Sequence, residues 1–217
     1  MKKYEYILFD LDGTLTDSAE GITKSVLHAL NKFGIKENDR EKLTPFVGPP
    51  LTDSFMKYYG VSKEDASGPL TEYYREYFSD RGWRENRVYE GIPEVLKKLK
   101  EGGKHLILAT SKPEVFARRI MEYFHLEEYF DVIGGSTLDG SISRKGEVIE
   151  YVIGQIGREH TGEMVMVGDR EHDVIGAKEQ GLPCIGVLYG YGSREELEAA
   201  GADVICETVE ELPRCIL

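Results

Sequence analysis

Short apolar runs alternate with helical patterns along most of the chain. The runs are three to five residues long and are bounded by polar residues, which is typical of buried strands. They cover residues 6–9, 106–109, 131–133, 164–167, 184–188 and 204–206. Helical periodicity covers residues 90–101, 113–124, 146–156, 173–180 and 194–200. Strands separated by helices predict an α/β protein, a Rossmann-like parallel sheet with helices on both faces in a three-layer αβα arrangement.

The segment 17–87 breaks this alternation, because it contains no strand-like apolar run. Helical patterns cover residues 19–33, 51–59 and 70–78, with a shorter one at 39–46, and loops rich in Gly and Pro separate them. We predict an inserted α-helical cap subdomain at 17–87 and a catalytic core formed by 1–16 and 88–217. We expect the cap to lie over the carboxyl edge of the sheet, where ligands of open α/β sheets bind.

Composition and charge narrow the class of protein. The chain has 217 residues, of which 41% are hydrophobic and 30% charged, as in an ordinary globular protein. Its net charge of −12 disfavours a nucleic-acid partner, since such binding depends on Lys and Arg. Apolar runs are too short for a membrane span, and residues 1–5 lead into a strand rather than a signal peptide. The three cysteines lack metal-ligand spacing, so we expect free thiols and a cytoplasmic location.

Two carboxylates follow the first strand, in Asp10-Leu11-Asp12-Gly13-Thr14. Side chains two apart on an extended chain point the same way, so Asp10 and Asp12 project together beyond the strand. Such a pair is costly unless a cation or proton lies nearby. Gly13 permits a sharp turn. The alternative is a turn-forming Asp-Gly with an incidental second aspartate.

A second acidic segment, Gly168-Asp169-Arg170-Glu171-His172-Asp173, follows the apolar strand 164–167. Here too an ordinary explanation exists, because Asp173 is a favoured residue for opening the next helix. Four carboxylates from two strands that end at one edge indicate a hard cation with oxygen ligands, and Mg²⁺ fits best. We leave His172 at the surface.

Two further segments carry candidate polar groups. Thr110 and Ser111 follow the strand 106–109, where hydroxyls and helix-terminal N–H groups would hold a phosphoryl oxygen. Lys145 precedes a helix, in Ser143-Arg144-Lys145-Gly146. Taken singly, the hydroxyls are also ordinary helix-start residues, and a lysine is usually solvated.

The order of these segments along the chain is more specific than any one of them. Asp-x-Asp-Gly-Thr, a helical insert, Thr-Ser, a Lys and Gly-Asp-x-x-x-Asp follow one another, and the whole chain resembles the haloacid dehalogenase-like superfamily. It is most similar to the phosphoglycolate phosphatase and 5′-nucleotidase-like branch with a helical cap. The segment 168–178 and the segment 189–197, Tyr-Gly-Tyr-Gly-Ser-Arg-Glu-Glu-Leu, strengthen the resemblance.

The resemblance implies a role for each acid. Asp10 is the nucleophile that forms an aspartyl-phosphate. Asp12 protonates the leaving oxygen and later deprotonates the attacking water. Mg²⁺ is held by Asp10, the backbone carbonyl of Asp12 and Asp169, and Asp173 acts directly or through water.

The resemblance also implies roles for the polar groups. Thr110, helped by Ser111, orients the phosphoryl group, and Lys145 offsets the charge of nucleophile and phosphate. Many relatives have Pro after this lysine where this chain has Gly146, so Arg144 and Lys112 are alternatives to Lys145.

Some residues of the predicted cap are also expected to lie at the active site. The resemblance places the loop 46–51 and residues 16–20 at the active site, and Gly48 would let backbone approach the substrate. The alternative for this loop is a plain helix connection. The tyrosines and phenylalanine at 58–59, 73–74 and 77–78 would suit a base-stacking surface, but their helical spacing favours core packing.

The predicted function is a Mg²⁺-dependent phosphatase acting on a small phosphorylated metabolite, a phosphoglycolate-like or nucleotide-like phosphomonoester. A phosphosugar mutase of the β-phosphoglucomutase type uses the same residues and stays open, as does a non-catalytic phospho-ligand sensor. A dehalogenase is disfavoured because its chemistry does not need Asp12. A receiver-type signalling domain has a different order of acids and no helical insert. We expect no nucleic-acid or membrane partner, and a monomer or weak dimer.

Charge is uneven between the two predicted parts. The insert 17–87 holds 11 basic and 12 acidic residues, and the remainder holds 16 and 27. An acidic core must therefore accept an anionic substrate, and the expected means are a divalent cation and Lys145.

Overall fold

The computed structural model describes residues 4–217, and the first three residues, part of the predicted lead into the first strand, lie outside them. The described strands are β1 (Tyr6–Phe9), β2 (Thr16–Asp17), β3 (Arg87–Val88), β4 (His105–Pro113), β5 (Val132–Ser136), β6 (Met164–Gly168), β7 (Cys184–Val187) and β8 (Val204–Cys206).

Helices connect these strands and fill the insert. The α-helices are α1 (Ala19–Phe33), α2 (Leu51–Tyr59), α3 (Lys63–Asp65), α4 (Thr71–Asp80), α5 (Ile92–Glu101), α6 (Glu114–Tyr123), α7 (Lys145–Ile156), α8 (Glu171–Glu179), α9 (Arg194–Ala200) and α10 (Leu212–Ile216). Short 3₁₀ segments cover Glu41–Phe46, Gly82–Arg84, Glu127–Tyr129, Arg158–Glu163 and Val209–Glu211, and a π-helical segment covers Ala66–Leu70.

Six strands form one sheet in the order β5-β4-β1-β6-β7-β8. Every neighbouring pair in this sheet is parallel. Helices connect successive strands, as parallel pairing requires. The predicted α/β fold class, a parallel Rossmann-like sheet with an inserted helical part, is confirmed.

Strand β1 lies in the interior of the sheet, between β4 and β6. Phe9 pairs with Leu108 on one side and Val167 on the other. The chain runs outward from β1 through β4 to β5, then returns to the other side of β1 with β6. This reversal of strand order creates a crevice at the carboxyl ends of the strands. The residues that follow β1, β4 and β6 therefore converge there.

The sheet is buried on both faces, which explains its continuous apolar runs. Ile7, Leu8 and Phe9 have no exposed surface. One hydrophobic cluster joins strand residues such as Leu8 and Met166 to helix residues such as Val148. This packing fixes the strand ends from which the polar residues emerge.

The chain divides into two compact units, Met1–Thr16 with Val88–Leu217, and Asp17–Arg87. Strands β2 and β3 form a two-stranded sheet at the two positions where the chain passes between the units. We call the first the core unit and the second the helical unit. Each unit buries its own hydrophobic residues.

The helical unit packs around α1 and an aromatic core. Helix α1 has the bounds that its periodicity predicts and ends at Gly34, whose left-handed φ of 93° suits a glycine. Phe46 and Phe55 lie edge to face, and Tyr74 stacks on Phe78. All four side chains are buried, so core packing holds for Tyr74 and Phe78 of the predicted aromatic set. Tyr58 is exposed, and the other three tyrosines of that set are half-buried.

Several boundaries differ from the predictions. Strand β4 runs to Pro113 instead of ending at residue 109, because the polar residues after Ala109 stay extended. Helix α8 begins at Glu171, so Asp173 lies in its first turn and does not open it. The pattern at 39–46 is a 3₁₀ segment that contains Pro45, and helix α10 was not predicted.

Two predictions about the whole chain can be compared with the structure. All three cysteines are free thiols, as expected. Across residues 4–217, no helix combines the length and the apolar character that a bilayer crossing requires.

Candidate active site

Asp10 directly follows β1 and is buried at the carboxyl edge of the sheet. Its N–H donates to the carbonyl of Val167 on β6, at 3.0 Å, so the position of its backbone is set by strand pairing. Its Oδ1 lies 2.7 Å from Nζ of Lys145. The backbone of Asp10 is therefore fixed by the sheet, and its carboxylate is paired with the ammonium group of Lys145.

A tight turn follows Asp10 and depends on Gly13. Gly13 has a φ of 85°, and its N–H donates to the carbonyl of Thr16. A Cβ at this position would lie 2.2 Å from Oδ2 of Asp169, so only glycine allows the turn to approach that carboxylate. The Asp-Gly pair thus forms a turn, as the ordinary explanation held, and also brings Asp169 close to the Asp10 segment.

Asp169 follows β6 and has no exposed surface. The backbone N–H of Tyr191 donates to its Oδ2 at 2.7 Å. Its Oδ1 is buried and has no hydrogen-bond partner anywhere in residues 4–217. Burial raises the pKa of Asp169 well above its ordinary value, and the nearby Asp173 and Asp10 raise it further.

Asp173 completes a cluster of three acids. Oxygen atoms of Asp10, Asp169 and Asp173 all lie within 4.8 Å of one another. Oδ1 of Asp173 is 2.8 Å from Nζ of Lys145, and its Oδ2 accepts the N–H of Arg170 at 3.1 Å. Burial raises the pKa of Asp173, while Lys145 opposes the rise.

Lys145, at the start of α7, is buried among three acceptors. Its Nζ lies 2.7 Å from Asp10, 2.8 Å from Asp173 and 2.9 Å from the carbonyl of Ala109. Burial by itself would lower the pKa of Lys145, but the two carboxylates together raise it above its ordinary value. The three donors of the ammonium group match these three acceptors.

Helices α7 and α8 approach each other closely where Lys145 begins α7. A Cβ at Gly176 on α8 would lie 2.7 Å from the backbone nitrogen of Gly146. Gly176 therefore lets α8 pack against the start of α7. Arg144, one alternative to Lys145, precedes the helix and donates its N–H to Glu147.

Thr110 and Lys112 project from the extended end of β4. Both are buried, whereas Ser111 between them is half-buried. The N–H of Lys112 donates to Oγ1 of Thr110 at 3.3 Å. Nζ of Lys112 lies 3.0 Å from Oδ2 of Asp12. Lys112, named above as an alternative to Lys145, instead contacts a different acid.

Sequence reasoning missed two contacts of the site. The Lys112–Asp12 contact follows from the period of two along β4, which puts Thr110 and Lys112 on the same side of the strand. That signal was available once β4 was taken to continue past residue 109. The Tyr191–Asp169 contact uses a backbone N–H, and no side-chain pattern reveals it.

Gly48 and His172 are not part of the cluster of acids. Gly48 belongs to the helical unit, between the 3₁₀ segment and α2, with a φ of 101°. Its contact with a substrate stays a prediction. His172 is half-buried on α8 and is not part of the acidic cluster.

The charges of the core-unit cluster suit a divalent cation. If all were ionised, the four buried acids (Asp10, Asp12, Asp169 and Asp173) and two buried lysines (Lys112 and Lys145) would leave two negative charges. Buried carboxylates without compensation are costly, and the free Oδ1 of Asp169 offers a ligand atom. The residues present therefore fit a hard cation bound between Asp10 and Asp169.

Comparison with known families accounts for this arrangement. The model of the haloacid dehalogenase-like hydrolases matches residues 7–187. The chain belongs to this family. The match begins at β1 and ends with β7, so it includes every candidate catalytic residue of the core unit.

Similar proteins add detail to the family assignment. A 5′-nucleotidase of Pseudomonas aeruginosa is 48% identical over 91% of this chain and 88% of its own length. The crystal structure of a predicted phosphatase from Clostridium acetobutylicum has a TM-score of 0.95 and 53% identity, and covers 99% of this chain and 98% of that one. Tyrosine-protein kinase PtkA of Mycobacterium tuberculosis is 39% identical over 96% of this chain and 71% of its own length. With relatives named phosphatase and 5′-nucleotidase, this haloacid dehalogenase-like enzyme is a phosphatase.

Proposed function

We propose that this phosphatase hydrolyses a small phosphomonoester with Mg²⁺ through an aspartyl-phosphate on Asp10. The observation that carries the proposal is the contact of Lys145 with both Asp10 and Asp173, beside the free oxygen of Asp169. This arrangement supplies a nucleophile, a fixed cation and a place for a second cation in one buried cluster.

Asp10 attacks phosphorus with the oxygen that Lys145 does not hold. Its Oδ1 is 2.7 Å from Nζ of Lys145, which leaves Oδ2 for the new O–P bond. The ammonium group lowers the repulsion between the carboxylate and an anionic substrate. Its three fixed acceptors hold Lys145 in place, so it needs no rearrangement as the reaction proceeds.

Asp12 moves the protons of both half-reactions. As the Asp10–phosphorus bond forms and the ester P–O bond breaks, Asp12 gives its proton to the leaving oxygen. In the second half-reaction Asp12 takes a proton from the water that attacks the aspartyl-phosphate, and phosphate and free Asp10 result. One residue, Leu11, lies between Asp10 and Asp12, which puts both carboxylates at the same strand end.

Mg²⁺ would be held by Asp10, Asp169 and the backbone carbonyl of Asp12. When bound, it supplies positive charge to the phosphoryl oxygens. Oδ1 of Asp169 has no protein hydrogen-bond partner within the described chain, and the Tyr191 N–H keeps Oδ2 in place. Both oxygens of Asp173 already have protein donors, so we propose that Asp173 acts through water.

Thr110 and Ser111 would bind the phosphoryl group. Thr110 is buried at the same sheet edge as Asp10. The carbonyl of the neighbouring Ala109 accepts a hydrogen bond from Nζ of Lys145. Hydroxyl and backbone N–H donors at this edge match phosphoryl oxygens.

A nucleoside monophosphate is the substrate class we favour. The support is the relative named 5′-nucleotidase, which is 48% identical and is covered over 88% of its length. A phosphoglycolate-like ester is the alternative, and we expect a small metabolite rather than a nucleic acid in either case.

A panel of phosphorylated metabolites tests this proposal. Purified protein is assayed for phosphate release from nucleoside monophosphates, phosphoglycolate, hexose phosphates and an aryl phosphate, with Mg²⁺ or with EDTA. We expect turnover only with Mg²⁺, the highest kcat/KM on a nucleoside monophosphate, and no turnover by Asp10→Asn. Turnover in EDTA, or an active Asp10→Asn variant, would contradict the mechanism.

Transfer to a hydroxyl acceptor is the second candidate. Relatives named tyrosine-protein kinase suggest that the same scaffold serves phosphoryl transfer to groups other than water. A phosphosugar mutase would be an example. Isotope-labelled water separates the cases, because a hydrolase puts its oxygen into phosphate whereas a mutase returns the phosphoryl group to the sugar unlabelled.

A further inference from the structure

We infer that Lys112 is a positioning residue that holds Asp12 by Oδ2, so that Oδ1 is the oxygen that exchanges the proton with the leaving group. The inference rests on the proposed function, in which Asp12 is the acid and base. It adds a residue with no assigned role and specifies which atom of Asp12 reacts.

The two side chains form a buried ion pair. Nζ of Lys112 lies 3.0 Å from Oδ2 of Asp12, and the side chains are 4% and 7% exposed. Oδ1 of Asp12 is buried and has no hydrogen-bond partner in the part of the chain that the structure describes. One oxygen is therefore held by a cation, and the other is free to meet a ligand.

Lys145 does not perform this task. Its ammonium group already has three acceptors, on Asp10, Asp173 and Ala109. Each lysine thus serves a different acid: Lys145 contacts the nucleophile, and Lys112 contacts the proton carrier. This division explains why the edge of the sheet buries two lysines.

The backbone of β4 fixes the origin of the Lys112 side chain. The pairing of β4 with β5 shifts register between Thr110 and Pro113, so the intervening residues leave the regular ladder. The Lys112 N–H donates to Oγ1 of Thr110, which ties the two residues together. On β5, Gly135 leaves room for this segment, since a Cβ there would lie 2.6 Å from the Lys112 carbonyl oxygen.

The proton balance does not involve Lys112. Asp12 Oδ1 releases its proton to the ester oxygen while that oxygen leaves phosphorus, and later it takes one proton from water. Lys112 keeps all its protons and changes only the orientation of the carboxyl group. Its removal should therefore slow reactions in proportion to how much the leaving oxygen needs a proton.

The test compares leaving groups. Lys112→Met, Lys112→Gln and Lys112→Arg are assayed on an alkyl phosphate, such as a nucleoside monophosphate, and on 4-nitrophenyl phosphate, whose leaving group is stable without a proton. We expect Lys112→Met and Lys112→Gln to lower kcat on the alkyl ester about 100-fold, with a much smaller loss on the nitrophenyl ester. Lys112→Arg should restore much of the activity on the alkyl ester.

Lys104→Met is the matched control. Lys104 is another buried lysine of the core unit, with a side chain 1% exposed, and it pairs with Glu5 at 3.3 Å at the other end of β4. Its loss removes a buried charge but leaves Asp12 intact. We expect Lys104→Met to lower stability without changing the ratio of the two substrates.

Asp12→Asn provides a double-mutant cycle. If Lys112 acts through Asp12, Lys112→Met adds little to the loss that Asp12→Asn already causes on the alkyl ester. If Lys112→Met does not fold, Lys112→Gln and Gly135→Ala replace it, and the second of these displaces the Lys112 backbone. Each should lose more activity on the alkyl ester than on the nitrophenyl ester, and each should add little to the loss caused by Asp12→Asn.

Three outcomes would overturn the inference: equal losses on both esters, additive effects of Lys112→Met and Asp12→Asn, or a change confined to KM. The last would indicate that Lys112 binds substrate. A wild-type enzyme without Mg²⁺-dependent turnover on either ester would instead contradict the proposed function, so the two failures are distinguishable.

Discussion

Charged side chains have opposite environments at the carboxyl edge of the core-unit sheet and on the helical unit. At the sheet edge, Lys145 and Asp10 are 3% and 5% exposed in their ion pair. In the helical unit, Lys32 is 43% exposed beside Glu76, and Arg87 is 80% exposed beside Asp17. Surface pairs contribute little to stability, whereas a buried charge that loses its partner is costly. We therefore expect the loss of a charge to matter far more at the sheet edge than on the helical unit.

The largest expected effect comes from Lys145→Met. Its loss leaves Asp10 and Asp173 buried without a cation, which should cost about 3–5 kcal/mol of unfolding free energy and abolish turnover. The control is Lys24→Met in the helical unit, where Lys24 bridges Glu20 and Glu85 with a side chain 30% exposed. Urea unfolding should show a loss below about 1 kcal/mol for the control. Equal losses would remove the distinction between the two regions.

Gly13→Ala in the core unit and Gly34→Ala in the helical unit change two glycines that both have a left-handed φ. Both have a left-handed φ, but a Cβ at Gly13 meets Asp169, and one at Gly34 meets no atom within 4 Å. We expect about 1 kcal/mol of lost stability for Gly34→Ala from backbone strain. Gly13→Ala should cost roughly 1–3 kcal/mol more from overlap and should weaken Mg²⁺ binding in calorimetry. Matching losses, with Mg²⁺ binding intact, would show that the turn tolerates a side chain.

Asp169→Asn should stabilise the metal-free protein. The pKa of Asp169 is raised by burial and by neighbouring carboxylates, so its charged form weakens the fold at neutral pH without a cation. Removing that charge should raise the free energy of unfolding in EDTA. Mg²⁺ should raise the Tm of the wild type but not of the variant. A wild type that is the more stable protein in EDTA would contradict the expected repulsion.

The smallest expected effect is a pH dependence in the helical unit. Hydrogen bonds from Lys32 and His28 lower the pKa of Glu76 below its ordinary value of 4.5. A lowered pKa in the folded state stabilises above the unfolded pKa, and this contribution disappears as pH falls through the folded one. Glu76→Gln should therefore lower Tm slightly at pH 7, with a difference that vanishes as the pH falls below the ordinary pKa of 4.5 and through the lowered folded-state pKa. A Tm difference that grows with acidification would contradict a lowered pKa of Glu76 in the folded state.

Much of the fold was predictable because burial leaves a direct trace in the sequence. Strands β1 and β8 and helices α1, α2 and α9 have the predicted bounds, since apolar runs and their periodicity end where burial ends. The acids of the candidate site were located in the same way, because they come directly after the apolar runs that form β1 and β6. Their convergence requires only that parallel strands end at one edge.

The rest of the site depends on features without such a trace. The polar residues Thr110, Ser111 and Lys112 look like a loop, yet they continue β4, and only this extension places Lys112 at Asp12. The N–H of Tyr191 reaches Asp169 through backbone geometry that no residue type encodes. The start of α8 at Glu171 was missed because Asp173 looked like a helix opener but accepts the Arg170 N–H from within the first turn.

The interior position of β1 has a consequence for how the protein is made. Tyr6 is synthesised before both of its partners, since His105 on β4 and Met164 on β6 follow roughly 100 and 160 residues later. At roughly 5–20 residues per second, an apolar strand waits on the order of ten seconds or more on the ribosome before its second neighbour exists. The first segment of the catalytic apparatus to be translated therefore waits longest for its second strand partner, and Ile7, Leu8 and Phe9 lack β6 throughout that interval.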